Sequence, residues 1–188
     1  MRLSSRGKHR LFFALDFEPS FKQSLAQWAQ SIAYDGRAVD TYNYHLTLQF
    51  LGTVNNHQVF DIIDAIGDNK IRSFSLSANK TGYFPRNEIL FADIEQGLGS
   101  INELASFLQS QLKSIDFIKR EKKSFHPHIT LFRDAPPPSE SFVTTELSTH
   151  ISDFVLMESI NVKSGVHYEV VEAWPLYKGS IKEQLLGR

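Results

Sequence analysis

Two eight-residue stretches of this chain, Tyr44 to Leu51 (YHLTLQFL) and Phe125 to Phe132 (FHPHITLF), alternate with period two, and each carries the tetrad His-x-Thr-Leu. In an extended chain, side chains two residues apart share a face and lie about 6.6–6.8 Å apart along the strand. His45 and Thr47 therefore stand together, as do His128 and Thr130, with Leu46, Leu48, Ile129 and Leu131 on the opposite face. Each stretch is predicted to be a strand with one apolar face for a core and one face carrying an imidazole and a hydroxyl. With seven His and eight Thr in 188 residues, composition alone produces the His-x-Thr spacing only about 0.3 times. Two copies, both continuing in Leu, point to paired acid/base residues rather than to two separately buried histidines.

A length of 188 residues suits one domain with a substantial core, or two small lobes sharing one. A hydrophobic share of 41%, a charged share of 22% and a formal net charge of −1 are those of a globular chain with no global attraction for polyanions, so nucleic-acid contact has to be local. The absence of cysteine excludes disulfides and thiolate metal sites and fits a reducing cytosol. The apolar run Leu11 to Leu15 ends at Asp16, too short for a signal peptide core or a membrane span. The expectation is a cytoplasmic chain without a membrane partner. The basic start, Met1 to Arg10, is read as a solvated terminus that could touch RNA, with no catalytic role.

Leu11 to Phe17 reads as a strand, and Pro19-Ser20 starts a helix over Phe21 to Ala33. After the first motif strand, closed by Gly52, Asn55-Asn56 caps a helix with Val59, Ile62, Ile63 and Ile66 on one side. Phe74 to Ala78 and Ile89 to Ile94 are predicted strands around a turn at residues 83–87. Ile101, Leu104, Ala105, Leu108 and Leu112 recur with helical spacing behind Ser100 as cap. Pro136-Pro137-Pro138 forces a loop, and Phe154 to Met157 and Tyr168 to Trp174 are the last strands, linked through Ser164-Gly165 and followed by a short polar tail. The expectation is one α+β domain over residues 1–188, bilobal and pseudo-two-fold by internal duplication. Two antiparallel sheets would face a central cleft with helices outside.

Two imidazoles across a cleft can act as base and acid on one reaction, because an ordinary histidine titrates near pH 6.5 and both forms coexist near neutrality. In a hydrolysis one takes a proton from water and the other delivers one to the leaving oxygen, on opposite sides of an in-line phosphorus. A threonine hydroxyl on the same face can donate to a non-bridging phosphate oxygen. The expected pH profile is a bell with both limbs near neutrality.

Leu11 to Asp16 (LFFALD), Tyr44 to Gly52 (YHLTLQFLG), Phe125 to Arg133 (FHPHITLFR) and Tyr168 to Leu176 (YEVVEAWPL) together resemble the two-histidine phosphoesterase superfamily. The resemblance is closest to its bacterial RNA 2′,3′-cyclic phosphodiesterases, also called 2′-5′ RNA ligases. It spans nearly the whole chain. It implies a bilobal α+β fold, no metal or other cofactor, and hydrolysis of an RNA or nucleotide 2′,3′-cyclic phosphate to a 2′-phosphomonoester. By that resemblance His45 is the proton donor to the 3′ oxygen and His128 the proton acceptor from water. The reverse reaction, 2′-5′ joining of RNA ends, would use the same residues, and no obligate protein partner is implied.

Five residues after each motif histidine stand Phe50 and Arg133, both flat and suited to sandwiching a nucleobase. Strict alternation would turn both away from the histidine face, so a sandwich requires a bulge in each strand. Two alternatives remain: a three-His metal site formed by His45, His126 and His128, and a phosphate- or nucleotide-binding module without turnover. The first leaves the threonines idle. The second would favour Arg and Lys over His. His9, His57, His150 and His167 are expected to be surface or structural.

Overall fold

The computed structural model describes residues 3, 7–118, 124–163 and 165–178, so half of the basic start, Ser164 of the last link and the polar tail from residue 179 lie outside the described residues. Among the described residues nine strands form one curled antiparallel sheet in the order β7-β4-β5-β6-β3-β1-β8-β9, with the short β2 (Arg37–Ala38) beside β6. The strands are β1 (Lys8–Asp16), β3 (His45–Asn55), β4 (Phe74–Phe84), β5 (Ile89–Gln96), β6 (His128–Arg133), β7 (Val143–Ile151), β8 (Asp153–Val162) and β9 (Gly165–Pro175). The motif strands β3 and β6 are central. They meet only at the pair Leu46–Ile129, so the sheet divides into two wings of four strands, hinged on a narrow seam. The wings do not follow chain halves: β8 and β9, from the C-terminal part, complete the wing of His45.

The apolar face of both motif strands meets the helices. Leu46, Leu48, Ile129 and Leu131 are at most 4% exposed and share a core with Phe21, Leu25 and Trp28 of α1 (Pro19–Ile32). Val59 and Ile62 of α2 (Asn56–Ala65) and Ile101, Leu104 and Leu108 of α3 (Leu98–Gln111) complete it. Helices therefore cover one face, and the other is left to the cleft, where Phe12, Ala14, Val155 and Met157 form a separate small cluster with Tyr168. None of the helices, among the described residues, is long and apolar enough to cross a membrane.

Several boundaries differ from the sequence expectation for physical reasons. The α2 cap is the predicted Asn55, completed by Gln58, whose side chain accepts the Asn55 amide at 2.8 Å. At α3 the cap is Gly97, not Ser100: its φ is +90°, and a Cβ there would meet the Ser75 carbonyl oxygen at 2.8 Å. β6 begins at His128 rather than Phe125, because Pro127 offers no donor to a ladder. β7 has no counterpart in the sequence reading. It is an edge strand with eight of nine residues at least partly exposed, so it lacks the apolar alternation that marks a half-buried strand.

Candidate active site

The single pair Leu46–Ile129 sets the two motifs against each other. Continuing that antiparallel register by one residue each way brings His45 level with Thr130 and Thr47 level with His128, so the four polar residues converge on the seam.

Each imidazole is held in the same way. His45 Nδ1–H donates to the Asn43 carbonyl at 2.7 Å, and His128 Nδ1–H donates to the His126 carbonyl at 2.7 Å. In both cases the acceptor lies two residues before the histidine, which places the bare Nε2 of each neutral ring as the acid/base nitrogen. Thr47 Oγ1 stands 3.1 Å from His45 Nε2 and donates to it while that ring is neutral. When His45 is protonated the bond reverses, and the threonine proton becomes available to a phosphate oxygen.

Aromatic rings wall each histidine. Phe12 and Tyr168 lie 5.0 and 4.8 Å from His45, and Phe84 and Phe91 lie 4.9 and 5.2 Å from His128, centroid to centroid. Phe84 and Phe91 stack on one another at 4.3 Å, and Phe91 lies over Gly82, where an added Cβ would come within 2.4 Å of the ring. Gly82 is thus the floor that lets Phe91 reach His128. These wall residues escaped the sequence reading. The available signal was their place on the cleft face of strands paired with the motif strands, which requires the register.

The walls shield both imidazoles from much of the surrounding water. Burial pushes His45 down to about 4, against the carbonyl of Asn43 and the Asp16 charge, which favour its proton, and with Arg133 and Lys22, which oppose it. His128 is also pushed down, chiefly by burial and further by His126 and Arg133, while the His126 carbonyl and Asp93 pull upward. A general base works only when neutral and a general acid only when protonated, so both limbs of kcat/KM for the free enzyme should lie below pH 6.5 rather than near neutrality. A bound phosphate anion raises both histidines, and the kcat profile should therefore sit at higher pH than the kcat/KM profile. Steady-state rates between about pH 4 and 8 check this ordering.

Phe50 and Arg133 reach the cleft face through bulges in β3 and β6. Ala14 pairs with Thr47 but Phe13 with Gln49, so β3 carries an extra residue at Leu48, and Phe50 lands opposite Phe12 on the histidine face. Phe91 pairs with Thr130 but Leu90 with Phe132, so β6 carries an extra residue at Leu131, and Arg133 follows on the face of His128. Phe50 is 54% exposed with its ring 5.9 Å from Phe12, which is not a core position. Among the described residues Arg133 has no ion-pair partner; its neighbour Arg37 takes Asp134 at 2.9 Å.

His126 points to Asp93, its Nε2 3.3 Å from Oδ1. Among the described residues no three His, Cys, Asp or Glu side chains are grouped as a metal ion would need, so His45, His126 and His128 do not form the ligand set of the three-His alternative. His9 is structural: 1% exposed, it contacts Glu158 at 2.8 Å and Asn56 at the start of α2.

Comparison with known proteins finds the same fold. Residues 15–91 match the family model described as LigT like Phosphoesterase. The RNA 2′,3′-cyclic phosphodiesterase of Escherichia coli (strain K12) is 29% identical over 175 residues, covering 89% of this chain and 96% of that protein. The protein of the same name from Aeropyrum pernix is 30% identical over 115 residues, 58% of this chain and 65% of its own length. The crystal structure of E. coli LigT complexed with 3′-AMP superimposes with a TM-score of 0.83 at 27% identity, covering 91% of this chain and 99% of that one. With both motifs placed on one seam, this chain shares the fold of E. coli LigT, and its residues 15–91 are similar to the LigT-like phosphoesterases.

Proposed function

We propose that the chain is an RNA 2′,3′-cyclic phosphodiesterase that hydrolyses a terminal or nucleotide 2′,3′-cyclic phosphate to a 2′-phosphomonoester by two-histidine acid/base catalysis without a metal. The observation that carries this reading is the pair of matched imidazoles, each with Nδ1 committed to a backbone carbonyl and Nε2 left for chemistry. The names of the relatives and the nucleotide bound by the E. coli protein support the substrate class. A pure binding cradle has no need of two rings whose tautomers are fixed alike.

His128 Nε2 takes a proton from water as its oxygen attacks phosphorus. The bond to the 3′ oxygen breaks on the far side, and His45 Nε2–H gives that oxygen its proton. The phosphate stays on the 2′ oxygen. Thr47 and Thr130 donate to the non-bridging oxygens, whose charge grows in the transition state. With a 5′ hydroxyl in the place of water, the same attack on the cyclic phosphate breaks the bond to the 3′ oxygen and leaves a 2′-5′ linkage, His128 taking the hydroxyl proton and His45 giving one to the 3′ oxygen, so ligation is a secondary activity of the same residues. The site itself supplies no reason for an obligate protein partner.

The test is a panel of 2′,3′-cyclic-phosphate substrates, nucleoside and oligoribonucleotide, assayed with and without chelator and with product regiochemistry resolved. Turnover unchanged by chelator and a 2′-phosphate product are expected. Activity abolished by chelator and restored by one divalent ion would refute the metal-free mechanism.

The nucleobase is proposed to lie between Phe50 and Arg133, which the two bulges turn to the cleft face from opposite wings. Stacking contributes about 1–3 kcal/mol per base. Phe50→Ala is expected to raise KM for a nucleoside cyclic phosphate by roughly ten- to a hundredfold and to leave a base-free ribose cyclic phosphate nearly unaffected. Equal losses on both would assign Phe50 to cleft shape instead.

A further inference from the structure

A carboxylate stands directly opposite each motif histidine in the sheet register: Asp16 on β1 against His45, and Asp93 on β5 against His128. Residues so opposed share a face with Cβ atoms about 4.5–5.5 Å apart. Neither carboxylate takes the imidazole Nδ1–H, which goes to a backbone carbonyl in both rings, so each acts through its field.

The two carboxylates are neutralised differently. Asp16 Oδ1 lies 2.6 Å from Lys22 Nζ, whose side chain is 13% exposed and also donates to the Tyr42 carbonyl at 3.1 Å. That close, enclosed pair largely cancels at His45. Among the described residues Asp93 has only Lys80 at 3.9 Å, with half its side chain in solvent, and His126 at 3.3 Å. An exposed lysine at that distance is screened, and His126 compensates only while it carries a proton. While His126 is neutral, Asp93 therefore leaves a net negative charge facing His128.

We propose that Asp93 is the positioning residue of His128, stabilising the imidazolium that forms as His128 takes the proton of water, while Asp16, neutralised by Lys22, leaves His45 the readier proton donor. Asp93 also holds the His126 side chain, and the carbonyl of that same residue receives His128 Nδ1–H, so one carboxylate serves both the orientation and the charge of the base. The other charges facing the rings are Arg133, which opposes protonation of both, His126 at His128, and Lys22 at His45. Arg133, common to the two, cannot distinguish them. The difference lies with the carboxylates, and it supplies the direction that a reaction with one acid and one base needs.

The proposal rests on the two-histidine reading above, and its test separates the two. Asp93→Asn and Asp16→Asn keep side-chain shape and remove charge. Imidazole resonances of the ligand-free protein are titrated by NMR, and kcat and KM for a nucleoside 2′,3′-cyclic phosphate are measured across pH. In Asp93→Asn, His128 should titrate about one pH unit lower with His45 nearly unmoved, because an opposite charge nearby favours the imidazolium. The acid limb of kcat/KM should follow it, with kcat about tenfold lower and KM little changed. In Asp16→Asn the uncompensated Lys22 should instead lower His45 and with it the alkaline limb. Asp93→Ser serves the same purpose should the asparagine fail to fold, and Asp93→Glu should restore the limb. An unmoved His128 titration, or a His45 shift as large, overturns the proposal. Absence of turnover in the unmutated protein would overturn the functional reading alone, since the titration is read without substrate.

Discussion

His128→Ala is expected to lose about 10²–10⁴-fold in kcat on every 2′,3′-cyclic phosphate, because the proposed mechanism gives the proton of water to that ring. His45→Ala should lose as much on a natural substrate, whose 3′ alkoxide is a poor leaving group, and far less on an activated aryl phosphodiester, whose leaving oxygen needs no proton. The two variants thus separate by leaving group. Equal damage to both on the aryl substrate, or a 3′-phosphate product, would show that the roles of acid and base, or the orientation of the substrate, are reversed. Circular dichroism and thermal melts keep loss of fold apart from loss of chemistry. Both rings are partly exposed at the cleft, so their removal opens no large core cavity.

Thr47→Val and Thr130→Val are expected to cost about 10²–10³-fold in kcat each, the usual loss on deleting one donor to a developing oxyanion. Valine keeps the branched shape, so packing on the strand survives. The two should differ in one respect. Thr47 touches His45 Nε2 at 3.1 Å, so its loss should also move the alkaline limb of kcat/KM, whereas no matching bond joins Thr130 to His128 and its loss should lower the plateau alone. Identical pH profiles in the two variants would mean that the Thr47 contact has no part in setting the His45 proton. Combining the two valines measures whether they act on one phosphate, since groups serving one charge are not additive.

Much of this site could be read along the chain, because the relevant geometry is local. Period-two alternation around His45 and His128 places imidazole and hydroxyl on one face and Leu or Ile on the other wherever the strand sits, and burial of Leu46, Leu48, Ile129 and Leu131 obeys that period. Helix α2 was legible for the same reason: its cap and its apolar spacing lie within a few residues. The N-terminus of α3 was not, since Gly97 is required by the approach of the Ser75 carbonyl from another strand.

What lies between strands was decided only by the tertiary structure. Phe50 and Arg133 face the cleft because β3 and β6 each carry an extra residue relative to a partner, and a bulge is a property of two strands in register, invisible to the alternation of one. The same pairing brings Asp16 to His45 and Asp93 to His128, and lays Phe91 over Gly82. It also takes β8 and β9 from the C-terminal part of the chain to finish the wing of His45, so that lobes in space are not halves in sequence. The chain alone thus declares which side chains can do acid/base chemistry, since that depends on residue type and a two-residue spacing. Which carboxylates and rings tune them depends on partners 29 to 123 residues away, through contacts that exist only once the sheet has closed.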